Sequence, residues 1–105
     1  MIQIIPITNT NSSFIERATL AGHLYILRFD WSDAESRWRL SIMDQVNNPI
    51  LMGIPMNESE SLTGRFIVTV PTIPQGRLML YDVSGRRQEA GRDSLGKTHQ
   101  LVFVI

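Results

Sequence analysis

Two stretches of strict alternation constrain this chain more than anything else in it. HLYILRFDW (His23 to Trp31) sets His23, Tyr25, Leu27, Phe29 and Trp31 on one face, with Leu24, Ile26, Arg28 and Asp30 on the other. RWRLSIM (Arg37 to Met43) sets Trp38, Leu40 and Ile42 against Arg37, Arg39 and Ser41. Successive side chains of a strand point to opposite faces, so a period of two predicts half-buried antiparallel strands. The polar SDAES between them has hairpin length and predicts that the two strands pair.

The other apolar segments extend the pattern. IQIIPI (Ile2 to Ile7) is β-rich, but Pro6 cannot donate to a ladder, which predicts an edge position or a strand end. FIERATL (Phe14 to Leu20) runs into Ala21-Gly22, a tight turn into the next strand. DQVNNP (Asp44 to Pro49) is dense in turn formers, and ILMGIPM resumes after it. FIVTV (Phe66 to Val70), GRLMLYDV (Gly76 to Val83) and HQLVFVI (His99 to Ile105) complete the set. The best helical window, ESESLTGRF, offers one turn over residues 57–64 before Gly64 interrupts it. Seven or eight short strands with turns about every 8–12 residues predict an all-β fold, a small antiparallel β-barrel or β-sandwich.

Length and composition bound what such a fold can do. At 105 residues the chain is expected to form one domain, 1–105, with a single core. Ten basic and ten acidic residues cancel, which removes the whole-chain electrostatic case for nucleic acid or an anionic membrane. The cations are nine Arg and one Lys, and guanidinium forks suit paired contacts at protein interfaces. With no cysteine there is no disulfide, thiolate metal site or cysteine nucleophile. MIQIIPITNTNSS lacks the basic and apolar regions of a signal peptide, so synthesis in the cytoplasm is expected.

One motif points elsewhere. GRDSLGKT, Gly91 to Thr98, satisfies the nucleotide-binding pattern G-x-x-x-x-G-K-[ST], and its Lys97 is the only lysine. That loop works only between a buried strand and a helix, whose N-terminal amides hold the phosphates. Here charged SGRRQEA precedes it and the strand-like HQLVFVI follows. No later acidic strand remains to position magnesium. The match is therefore read as a turn-rich lead into the last strand.

Other candidate chemistry is equally thin. His23 and His99 lack the further ligands zinc requires, and each opens a predicted strand, which suits a partly exposed structural role. Glu58 and Glu60 lie in NESES, a polar loop, and no serine sits in a nucleophile-elbow context. Trp31, Trp38, Tyr25 and Phe29 are expected in the core. An exposed Trp31/Trp38 groove would instead suit a free-standing binding module for a peptide or oligosaccharide. The segment around Arg86, Arg87, Arg92, Leu95, Gly96 and Lys97 carries a local positive excess without base-stacking aromatics, and is expected to be a loop ordered by a protein neighbour. Leu95 would anchor that loop and Gly96 relieve its backbone.

The order of features is itself a signature. IIPITNT (Ile4 to Thr10), LAGHLYILRF (Leu20 to Phe29) and WSDAESRWRL (Trp31 to Leu40) come first. NPILMGIPM (Asn48 to Met56), GRLMLYDVSG (Gly76 to Gly85) and RDSLGKTHQLVFVI (Arg92 to Ile105) follow. In this order and over almost the whole chain, the sequence resembles the small baseplate plug family of contractile-tailed bacteriophages and related prophage tail modules. Gly53-Ile54-Pro55 and Leu95-Gly96 would be structural positions of that family, while Met56 and the stretch from Asn57 to Ser61 depart from it. The resemblance implies an all-β virion protein on the central axis of the baseplate, between the tail tube and the hub–spike complex. It implies a symmetric homo-oligomer, no enzyme activity, no cofactor, no membrane and no specific nucleic acid.

Overall fold

The computed structural model describes residues 2–7, 11–56, 61–62, 72–83 and 91–104. These contain seven strands: β1 (Ile2–Ile5), β2 (Ser13–Leu20), β3 (His23–Ser32), β4 (Arg37–Asp44), β5 (Pro49–Pro55), β6 (Arg77–Asp82) and β7 (His99–Val104). The expected strand at FIVTV, the helical turn of ESESLTGRF apart from Ser61 and Leu62, and the Glu58/Glu60 pair lie outside the described residues.

The strands form two antiparallel sheets, β2-β3-β4-β5 and β1-β7-β6. Neither sheet closes on itself, so of the two expected architectures the sandwich is the one formed. The larger sheet is a meander whose neighbours are successive in sequence, and its turns explain why. Leu20 pairs with His23 across Ala21 (φ 52°) and Gly22 (φ 82°). Two positive φ angles make the tight turn whose twist matches that of the flanking strands. Between β3 and β4, Ser32 pairs with Arg37, leaving the expected polar connection as the loop.

The Asp44 side chain builds the third turn. Its Oδ1 accepts the amides of Val46 at 3.0 Å and Asn48 at 2.9 Å, while Asn47 adopts φ 65°. The pairing of β4 with β5 then shifts register twice, between Leu40 and Ile42 and between Ile42 and Met43. Gly53, at φ 66°, sits in the first of these bulges. Its amide donates to Ser41 Oγ at 3.0 Å and its carbonyl accepts from Arg39 Nη1. Arg39 also grips Glu35 with two hydrogen bonds, 2.7 and 2.6 Å, tying the β3–β4 loop to the bulge.

The inner faces of the two sheets make one core. Leu27, Phe29, Trp38, Leu40 and Ile42 from the larger sheet join Ile5, Leu78, Leu80, Leu101 and Phe103 from the smaller. Aromatic contacts dominate one end. Phe14 stacks on its cross-strand partner Phe29 at 4.8 Å, and Trp38 meets Phe14 edge-on at 5.8 Å. Offset and edge-on pairs of this kind add about 0.5–1.5 kcal/mol each beyond the area they bury.

Alternation is obeyed with three departures, one of them Ser41, which is buried although it shares a face with Arg37 and Arg39. Tyr25, Leu27 and Phe29 are buried as expected, and Trp31 is half-buried, but His23 at the strand end is exposed. Ile26 is buried although it shares the outward face, where its register partners are Arg17 and Met43. His99 corrects the expectation of partial exposure. It is 2% exposed, because β7 turns it inward and residues 91–98 fold back on that strand end.

Candidate functional site

The loop 91–98 is held together by its own backbone. Gly91 O accepts Ser94 N at 3.3 Å, Ser94 Oγ at 3.0 Å and the indole Nε1 of Trp38 at 2.9 Å. Lys97 N donates to Ser94 O at 3.1 Å, and Gly96 N to His99 O at 2.8 Å. His99 N returns to Ser94 O at 3.0 Å. A phosphate-binding loop needs its amides directed at the ligand. Here the amides of Ser94, Gly96 and Lys97 are all committed to loop carbonyls, and β7 follows where a helix would be required. GRDSLGKT thus leads into a strand, where the nucleotide pattern leads into a helix.

The anchors of the loop are the two residues the sequence suggests. Leu95 is buried in the core and bridges to His99. Gly96 has φ 78° and faces the backbone of Ile7, so only a residue without a side chain fits. The outward side chains include both signs of charge, with Asp93 and Lys97 exposed and Arg92 partly so. Arg92 lies over the Trp38 ring, 5.7 Å from its centroid, with Asp93 at 3.6 Å, and Lys97 is exposed. Arg86 and Arg87 lie outside the described residues.

Trp38 therefore has a double structural duty. It is 2% exposed, packs on Phe14, and donates its one polar hydrogen to the loop. Trp31 lays its edge on Trp38 at 5.6 Å and donates Nε1 to Asp33 at 2.8 Å. The paired tryptophans thus form no open groove of the kind a peptide- or sugar-binding module would use.

A cavity of about 660 Å³ lies at the opposite end, among the β2–β3 turn, the β4–β5 turn and residues 72–75. Two of its polar groups are engaged within the fold. The Tyr25 hydroxyl donates to Thr72 O at 3.1 Å, and burial raises its pKa above the ordinary 10.0. Asp44 is held by the turn amides, chiefly that of Asn48, which lower its pKa below the ordinary 3.8. Among the described residues, no group of three or more His, Cys, Asp or Glu side chains could hold a metal.

The two outer faces differ in chemistry. That of the larger sheet bears Arg17, Arg28, Arg37 and Arg39 beside exposed Ile15 and Leu24, with Asp30 holding Arg28 at 3.1 Å and Ser13 at 2.6 Å. That of the smaller sheet is apolar, and alternation of the longer strands gave no sign of it. The available signal was the unbroken apolar run LVFVI with IQII, since a strand without alternation is one with two apolar faces.

These features mark a domain built to hold shape and present surfaces. Comparison with curated proteins returns no match. A family model described as "Cyanophage baseplate Pam3 plug gp18" matches residues 2–105.

Proposed function

The chain belongs to the cyanophage baseplate plug family, and from that premise we propose that it is a structural adaptor on the baseplate axis, seated between the tail tube and the hub–spike complex. The family places the chain in the tail baseplate of the virion, among other baseplate and tail proteins, in a structural role. The adaptor position, a ring of symmetric copies and the absence of catalysis are our reading.

The observation that carries it is the extent of the match. Residues 2–105 comprise both sheets and the loop 91–98, so the match takes in the whole described fold. Two further features support it. The outer faces are chemically unlike, which suits a domain gripped by two different neighbours. The loop 91–98 is pre-ordered, so a neighbour that meets Arg92 and Lys97 incurs little ordering entropy. Symmetric copies multiply such modest contacts into a firm assembly.

Cryo-electron microscopy of purified tails tests this directly. Density for the two-sheet domain should appear on the axis between tube and hub, repeated by the tail symmetry. Its appearance at the periphery, or its absence from the particle, would sink the proposal.

A further inference from the structure

The outer face of the three-stranded sheet is apolar across all its strands. In register, Ile2 faces Val104, which faces Arg77, and Ile4 faces Val102, which faces Met79. Tyr81 and Gln100 complete the face. Ile2 is 70% exposed, Ile4 59% and Tyr81 42%, while Val102 at the centre of the face is 8% exposed. The other face of the same sheet already fills the core with Ile5, Leu78, Leu80, Leu101 and Phe103. An antiparallel sheet with one solvated face alternates apolar with polar, whereas a sheet covered on both faces does not. This sheet has the composition of the second kind and, among the described residues, core packing on one side only.

Area and charge decide what covers the other side. With strands about 4.8 Å apart and about 3.3 Å per residue, the face offers on the order of 300 Å². A stable pair of free proteins buries about 800 Å² on each partner, so this face alone does not hold two free copies together. It suffices as one contact among several in an assembly. Arg77 is the one charged side chain among the described residues of the face. A second copy placed face to face would offer it no carboxylate, and the arginine-bearing face of another copy would repel it.

We propose that this face docks an unlike protein of the baseplate, whose contact surface is apolar and sets a carboxylate opposite Arg77. The proposal rests on the adaptor reading above and adds to it the surface and the chemistry of the partner.

The test places the photo-cross-linker p-benzoylphenylalanine at Ile4, and separately at exposed Val46, in chain assembled into tails. Irradiation and peptide mapping identify what is captured. The Ile4 position should cross-link to one identified tail protein other than this chain, at a peptide containing Asp or Glu, and the Val46 position should not reach that peptide. In parallel, Arg77→Glu should lower incorporation into tails at least tenfold while its circular dichroism and thermal midpoint stay those of the parent. Cross-linking from Ile4 to a second copy, or none from chain present in the tails, would overturn this proposal alone. Absence of the parent chain from purified tails would remove the adaptor reading beneath it.

Discussion

The backbone carbonyl of Ile7 fills the space that a side chain on Gly96 would need. Through this contact the segment after β1 and the loop before β7 fix one another, close to where those strands pair.

Gly96→Ala should therefore be among the most damaging single changes. The left-handed φ of 78° costs an L-residue about 1–2 kcal/mol, and the new methyl meets backbone that cannot rotate away. A loss of at least about 3 kcal/mol is expected from urea unfolding. Lys97→Ala, one residue on, should stay within about 0.5 kcal/mol of the parent, because Lys97 is exposed. If both changes were neutral, the loop would not be the anchor described.

Trp38→Phe keeps an aromatic ring but removes the donor to Gly91 O. Gly91 O retains its two Ser94 contacts, so the expected loss is about 1–3 kcal/mol, set chiefly by the vacated indole volume. The remaining Trp31 is half-buried, so acrylamide should quench the variant's fluorescence more steeply than Trp38 is quenched in the parent.

Ala21→Asn should stabilise the fold. Ala21 is held at φ 52° in a turn where asparagine before glycine is favoured. Relief of about 0.5–1 kcal/mol would raise the thermal midpoint by roughly 2–8 °C in a domain of this size. A lower midpoint would mean that the methyl of Ala21 packs more productively than its backbone is strained.

Two carboxylates predict how the fold responds to acid. Hydrogen bonds from Arg39 lower the Glu35 pKa below the ordinary 4.5, and the Asn48 amide lowers that of Asp44 below 3.8. Each is depressed in the folded state, so its stabilisation is complete above the unfolded pKa. It is lost as pH falls through the folded value. Stability should decline from about pH 4.5 downward, and the Glu35→Gln, Asp44→Asn double variant should show a flatter acid limb in pH-dependent urea titrations. An unchanged limb would show that neither contact survives in solution.

The legible parts of this fold were the local ones. Alternation at 23–31 and 37–43 marks strands whose partners are next in sequence, and Ala21-Gly22 marks the turn between two of them. Leu95 was legible as an anchor because it is the one apolar side chain in GRDSLGKT, and Gly96 because it follows that anchor directly. Less was readable where two distant segments meet. The burial of His99 depends on a loop folding back over β7, and the Trp38 to Gly91 bond joins residues with no shared local pattern. The apolar outer face arises only when β1, β6 and β7 are laid side by side, since each alone contributes just a few of its residues.

That same three-stranded sheet sets an order of events during synthesis. Among the described residues, β1 comes first in the sequence, yet its only strand partner, β7, comes last of the strands. The larger meander pairs neighbours in sequence and can form while the ribosome is still elongating, whereas β1 must wait for residues 99–104. Contacts of such long sequence separation form slowly, because the loop entropy is lost before the pairing energy is gained. The three-stranded face is therefore expected to form after the meander has paired. Stopped-flow refolding should show this as β1 probes reporting later than those on β3 and β4.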